Sequence, residues 1–400
     1  MDFLSLRLSN VGLSATSSVQ NKVIERLNSG KKIIGLSVGE PDFDTPKNIK
    51  TAAIKAINEG KTKYTASDGN QRLKEAVIKK FQLENDLCYS TNEVIISSGG
   101  KQVIFNALLA TINEGDEVAI IAPYWVSYPD ITKISGGIPK IIQTKFENGF
   151  KVTKEDLEKN LSYKTKWLII NSPSNPTGAV YSKEELLKLS SVLKKFTNVN
   201  VLSDEIYEHL IYEKYTLTNI VQVSPELKNR TLIVNGVSKA YAMTGWRIGY
   251  GAGNSTLISA MKTIQSQSTS SACSVSQEAA REALTGSQNC IYKNKSIFEQ
   301  RRNLLLESLS KTNKLKILKP SGAFYLMPLI TDLIGRKTKE GVIISSDTTF
   351  VTELLNQTGV AVVPGSAFGL DFSFRISYAT NETNLREASD LIVNFINSLS

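Results

Sequence analysis

The sequence predicts an α/β protein: a large domain on a mostly parallel central sheet, joined to a smaller α+β domain. Three observations carry this. The chain has 400 residues, more than one ordinary core accommodates. From about residue 90 to 255, short β-rich runs alternate with longer amphipathic stretches, the pattern of a parallel sheet covered on both faces. After Ala272 that alternation stops, and long helical stretches with short extended runs take over.

In chain order, the first 45 residues lack β/α alternation, which predicts a segment (1–47) packed with the C-terminal unit. Residues 93–97 read as a strand, and Gly99 and Gly100 open a helix running to Thr111. Residues 117–122 form the next strand, 125–135 look helical, and 138–143 look extended. Thr153 suits the cap of a helix around 156–160. Residues 166–171 are a strand. Residues 182–196 are a helix with Ser182 as cap and Glu185 three residues on, the capping-box spacing. Residues 199–203, 231–234 and 248–251 are further strands, and 276–284 a helix. The large domain then spans 48–290 and the small one 291–400. A helix over 292–310 is long enough to link them, followed by extended 322–327, helical 347–356, strands 360–363 and 373–377, and a final helix from Asn381. In sheets of this kind ligands bind beyond the C-terminal strand ends.

Composition narrows the class. Apolar residues are 41% and charged residues 21% of the chain, ordinary for a globular protein. No apolar run approaches the ~18 residues of a membrane span, and the N-terminus lacks the apolar stretch of a secretory signal. Cys88, Cys273 and Cys290 lie far apart, which fits reduced thiols in a cytoplasmic protein better than disulfides or a metal site. The one histidine, His209, argues against a zinc enzyme or a histidine-centred triad. The net charge of +9 is spread among many acids and reads as a lysine-rich solvated surface, without a nucleic-acid groove. A strand–GxGxxG–helix of the dinucleotide-binding type is not found.

Several residues suit chemistry at strand ends, each with a plainer alternative. Lys239 follows a β-rich run among small residues, where an enclosed amine becomes a nucleophile; most lysines are surface groups. Arg247, eight residues on, suits a phosphate dianion or a surface salt bridge. Gly99 and Gly100 let helix N–H groups approach a phosphate, or simply make a tight turn. Asp204 ends a strand, where it pairs with a ring nitrogen or caps a helix; Tyr207 reaches the same place. Asn175 sits in a proline-stiffened loop and offers an amide to a ligand or to the turn. Arg375, in an apolar strand pattern, needs an anion, either an internal acid or a substrate carboxylate. Together they supply what an aldehyde cofactor with a phosphate handle requires.

With these residues in place, the sequence resembles the class I pyridoxal-phosphate aminotransferases of fold type I, in particular the bacterial aspartate aminotransferase subgroup, some of whose members accept prephenate. The motifs are VGEPDFDTP (38–46), KYT (63–65), GGKQ (99–102), PYWVSY (123–128), NPTG (175–178), SDEIY (203–207), SK (238–239), MTGWRIGY (243–250) and SFRIS (373–377). They span the chain from about Ser14 to the last helix. The resemblance implies that Lys239 binds pyridoxal phosphate covalently and later moves the substrate Cα proton. It implies that Asp204 keeps the ring nitrogen protonated, that Tyr207 and Asn175 bond the ring oxygen, and that Trp125 stacks on the ring. Gly99, Gly100, Arg247 and Ser238 would hold the phosphate, with Lys101 beside them. Tyr64 would reach the phosphate of a second subunit, making a homodimer with shared active sites. Arg375, the N–H of Gly39, and Asn175 would clamp the α-carboxylate. Lys101, with hydroxyls of the 14–16 stretch, would meet the distal carboxylate of aspartate.

Two departures stand out. Gly12 and Leu13 occupy the place where prephenate-active relatives carry Lys-Pro, which speaks against prephenate as substrate. Gly236 stands where many relatives have a phosphate-binding serine, a loss of roughly 1.5–3 kcal/mol at most. The expected activity is transfer of the amino group of L-aspartate to 2-oxoglutarate by a ping-pong route. Other amino donors, β-elimination, or a non-enzymatic sensor domain of the same fold are the alternatives.

Overall fold

The computed structural model describes residues 3, 5–8, 11–12, 15–28, 30, 32–213 and 215–400. Its strands are β1 (Ile34–Gly35), β2 (Val94–Ser97), β3 (Glu117–Ile121), β4 (Ile138–Ile142), β5 (Thr165–Asn171), β6 (Asn200–Asp204), β7 (Thr231–Gly236), β8 (Gly249–Ala252), β9 (Tyr325–Leu326), β10 (Val360–Ala361), β11 (Val363–Pro364) and β12 (Phe374–Ser377). Seven of them form one sheet in the order β2-β8-β7-β6-β5-β3-β4. All its pairings are parallel except those of β8, which runs against both β2 and β7.

Successive residues of a strand point to opposite faces, and both faces here are covered. Val94, Ile96, Leu168 and Ile170 pack into one core with Val77, Phe81, Leu186 and Ala279 from helices Gln71–Asn85, Lys183–Leu193 and Ser274–Thr285. Ile95, Trp167 and Ile169 pack into another with Val103, Ala107, Ile258 and Met261 from helices Gly100–Thr111 and Ser255–Ser268. Each buried aliphatic side chain contributes ~1.5–3 kcal/mol, so a strand sandwiched this way reads as an unbroken apolar run. β2, β7 and β8 are buried along their whole length.

A separate core gathers Ile34, Leu36, Leu305, Phe324, Tyr325, Phe350, Val360, Phe374 and Ile392. The N-terminal segment joins it by pairing: β1 runs parallel to β10, and the Leu36 N–H donates to the Ala361 carbonyl at 2.8 Å. Tyr207 and Leu210, from the turn after β6, also belong to this core.

The structure differs from expectation in four places. The extended run 360–363 is split: β10 pairs with β1, whereas β11 pairs antiparallel with β12. Within 322–327 only Tyr325 and Leu326 pair, against β12. The helix expected from 125 begins at Ser127, leaving Trp125 in the preceding turn. Helices Ala15–Asn28, Lys47–Asn58, Gln71–Asn85 and Ser255–Ser268 were not anticipated. In Gln71–Asn85 the apolar period is broken by Lys74 and Lys80, which are buried yet ion-paired, Lys74 with Asp68 at 2.7 Å.

Candidate active site

The C-terminal ends of β2, β5, β6 and β7 meet at one edge of the sheet. Because β8 is antiparallel, its start lies at that same edge, with Gly249 opposite Ser97 of β2 and Gly236 of β7. Gly249 allows this approach: an added Cβ would stand 2.2 Å from the Gly100 nitrogen. Arg247, just before β8, therefore comes against the Gly99–Gly100 corner, where a Cβ on Gly99 would stand 2.3 Å from its Nη2. Gly99 holds φ at +90°, and helix Gly100–Thr111 starts there with its N–H groups directed outward. Guanidinium and helix start together make a corner suited to an anion. The hydroxyl-bearing Ser238 lines the same cavity.

Asp204 closes β6 and is buried. Its Oδ2 accepts a 2.6 Å hydrogen bond from the Tyr128 hydroxyl, and its Oδ1 accepts the Ile206 N–H at 3.3 Å. Burial pushes its pKa up, while these two bonds and Lys239 hold it down. Lys239 donates from Nζ to the Gly39 carbonyl at 2.6 Å. Burial lowers its pKa to about 8, opposed by Glu40 and aided by Arg247 and Arg375. The Asn175 loop is tied down through Asn171, whose Oδ1 accepts the Asn175 N–H at 2.8 Å while its Nδ2 donates to the Asp204 carbonyl at 3.0 Å. Arg375 is buried on β12. It donates from Nη1 to Asn175 Oδ1 at 2.9 Å and from Nη2 to the Ser37 carbonyl at 2.5 Å, and its Nε has no hydrogen-bond partner. Among the described residues no carboxylate pairs with it, so an internal acid is ruled out as its anion within them. Lys101 carries its ammonium 4.9 Å above the Trp125 ring, its pKa lowered by burial and by Arg247.

Gly39, Gly100, Lys101, Trp125, Asn175, Asp204, Tyr207, Ser238, Lys239, Arg247 and Arg375 thus line one cavity of about 730 Å³. Residues 31–392 match the family described as aminotransferase class I and II. The chain belongs to that family. This aminotransferase is 51% identical over 400 residues to the aspartate/prephenate aminotransferase of Cereibacter sphaeroides, covering 100% of both chains. It is similar to the crystal structure of the aspartate aminotransferase from Rhizobium meliloti, with TM-score 0.97, 45% identity and 99% of each chain covered. It is also similar to the aspartate aminotransferase from Thermus thermophilus with maleate, with TM-score 0.92, 40% identity, and 99% and 100% of the two chains covered.

Other predicted positions in this aminotransferase lie apart from the cavity. Tyr64 is 91% exposed and borders a groove with Lys63 and Arg72. Leu13, Ser14 and the Thr16 side chain lie outside the described residues. Gly12 is exposed, with open space where a side chain would stand. At Gly236 a Cβ would come 2.9 Å from the Ile248 carbonyl oxygen, so glycine suits the close β7–β8 pairing. His209 bonds Glu84 at 2.8 Å beside Glu208, whose carboxylate is already paired with Lys80. Among the described residues no helix is long and apolar enough to cross a membrane.

The sequence reading gave no role to Tyr128, Asn171, Tyr325, Glu40 and Thr244, which also line the cavity. The Thr244 hydroxyl bonds the Glu40 carboxylate. A signal existed for Tyr128, since it stands in the same PYWVSY motif as Trp125. None existed for Tyr325, whose place depends on how two cores meet.

Proposed function

We propose that this chain transfers the amino group of L-aspartate to 2-oxoglutarate, giving oxaloacetate and L-glutamate, by a ping-pong route with pyridoxal phosphate as cofactor. One observation carries the reading: a buried guanidinium, Arg375, without an acid partner among the described residues, shares a cavity with the lowered-pKa amine of Lys239. Such a guanidinium calls for an anionic ligand, and an amine poised near pH 8 is a competent nucleophile. The relatives named as aspartate aminotransferases, and maleate (a four-carbon dicarboxylate) with the Thermus thermophilus protein, support an acidic donor.

The donor set fits the cofactor. The anion corner of Gly99, Gly100, Ser238 and Arg247 suits its phosphate, and buried Asp204 suits a protonated ring nitrogen. When bound, pyridoxal phosphate supplies an electron sink for negative charge developing at the substrate Cα. This chain's residues do the rest. Lys239 would hold the cofactor covalently, and its free amine would move the proton at the substrate Cα. Asp204, steadied by Tyr128, keeps the ring nitrogen protonated. Tyr207 and Asn175 would bond the ring oxygen, and Trp125 would stack on the ring. Arg375, the Gly39 N–H and Asn175 orient the α-carboxylate, and Lys101 meets the distal one.

The test is a half-reaction. Cofactor-loaded protein receives L-aspartate without an oxo acid, and the visible band of the lysine-bound cofactor is followed. Loss of the band with release of oxaloacetate is the expected result. Conversion by aromatic or neutral donors alone would remove the role given to Lys101. No Lys239-dependent band in folded, cofactor-saturated protein would remove the reading altogether. Prephenate belongs in the same panel, because the Cereibacter sphaeroides relative carries that substrate in its name although Gly12 lacks a cation.

On the same footing, the chain divides into a segment 1–47, a large domain 48–290 and a small domain 291–400. It acts in the cytoplasm as a homodimer in which Tyr64 reaches the second copy's phosphate corner. The exposure of Tyr64 in the single chain supports this, and sedimentation of Tyr64→Phe against the parent protein, with cofactor affinity measured on both, tests it.

A further inference from the structure

Tyr325 lies where several parts of the cavity meet. It is buried and starts β9, opposite Ser377, two residues beyond Arg375 on β12. The Arg375 guanidinium lies 4.6 Å from its ring centroid. A Cβ on Gly39 would stand 2.3 Å from its hydroxyl oxygen, so that oxygen occupies space which only glycine leaves open. Its hydroxyl meets that of Tyr207 at 2.7 Å, with the two rings edge-to-face.

We propose that Tyr325 is a positioning residue that links the Arg375 clamp to Tyr207 and governs how strongly Tyr207 donates its hydrogen into the cavity. The proposal rests on the aminotransferase reading above. Each phenol has one hydrogen. Tyr207 gives it either to Tyr325 or to a ligand oxygen. When Tyr207 donates into the cavity, Tyr325 must be the donor between the two, and a hydroxyl that accepts a hydrogen bond becomes a better donor. Phenylalanine at 325 keeps a ring beneath Arg375 and removes only this bond. The charged and titratable groups that act on Tyr207 and Lys239 are Asp204 from β6, Tyr325 from β9, Arg375 from β12, Glu40 from the N-terminal segment and Arg247 before β8. Tyr325→Phe alters none of the charges among them.

The experiment titrates the visible absorbance of the lysine-bound cofactor against pH, without substrate, in four proteins: wild type, Tyr325→Phe, Tyr207→Phe and the double variant. Weaker donation by Tyr207 leaves the ring oxygen holding the lysine nitrogen's proton more tightly. The midpoint in Tyr325→Phe should therefore rise by roughly 0.4–1 pH unit, one neutral hydrogen bond's worth. Adding Tyr325→Phe to Tyr207→Phe should produce no further shift, because the effect passes through Tyr207. An unmoved or lowered midpoint, equal shifts in both backgrounds, or loss of cofactor binding in Tyr325→Phe would each overturn the proposal. A wild-type protein with no Lys239-dependent band would overturn the aminotransferase reading and this proposal with it, which separates the two failures.

Discussion

The Tyr128 hydroxyl donates a 2.6 Å hydrogen bond to Oδ2 of Asp204, a residue 76 positions further along the chain. Both groups are buried, and burial by itself pushes the Asp204 carboxyl toward its neutral form. The Tyr128 bond is the foremost of the contacts that oppose this, ahead of the Ile206 N–H and Lys239, and favours a carboxylate at the end of β6. Tyr128→Phe should lower kcat for aspartate by roughly ten- to a hundredfold, the ~1.5–3 kcal/mol of a hydrogen bond to a charged group. Steady-state kinetics check this, and an unchanged kcat would mean that Asp204 is held adequately without its phenol.

Removing the Arg375 side chain leaves the Asn175 amide oxygen and the Ser37 carbonyl without their donor and takes away the guanidinium proposed to clamp the α-carboxylate. Arg375→Ala should cost about 3–5 kcal/mol in kcat/KM for L-aspartate, roughly 10²-fold or more. Arg375→Lys should recover only part of it, since an ammonium cannot present the guanidinium fork. Full activity in either variant would show that the substrate carboxylate binds elsewhere.

Lys239 gives a pH-dependent prediction about stability. Its folded pKa of about 8 lies below its ordinary 10.5. As pH falls below 10.5 the unfolded chain takes up a proton that the folded chain refuses until about 8. Stability is lost across that window, and the penalty stays constant below it. In cofactor-free protein, Lys239→Met should thus gain ~3 kcal/mol at pH 7, less ~1 kcal/mol for the lost bond to the Gly39 carbonyl. The gain should vanish above pH 10.5. Urea unfolding at both pH values checks the sign, and an equal effect at both would refute a burial-lowered amine. The same variant should show no turnover.

Gly99 tests the anion corner. Its φ of +90° strains any side chain, and a Cβ there would push the Arg247 guanidinium, 2.3 Å away at Nη2, out of the corner. Gly99→Ala should weaken pyridoxal phosphate binding by at least about tenfold, by displacing a charge-assisted phosphate contact. Equilibrium dialysis of the cofactor against apoprotein measures it, and unaltered affinity would place the phosphate away from this corner.

The sequence by itself determined the α/β class, the sheet strands to within a residue or two, and the residue types gathered at their ends. Apolar runs such as 231–234 and turn signals such as Glu114-Gly115-Asp116 are local properties, so they are legible along the chain. Local pattern also brought out Lys239, Asp204 and Arg375 as residues out of keeping with a plain core. What it could not decide was direction and meeting. The antiparallel course of β8, which carries Arg247 to the Gly99 corner, depends on pairing with β2 and β7 at once. The contact of Tyr325 with Tyr207 depends on the turn after β6 reaching into a second core. Lysines buried in ion pairs concealed the helix Gln71–Asn85, because Asp68 and Glu208, which pair with Lys74 and Lys80, lie outside it. Hydrogen bonds and packing between residues a hundred or more positions apart act only once the chain has folded, so the tertiary structure alone decided which of the legible residues share a cavity.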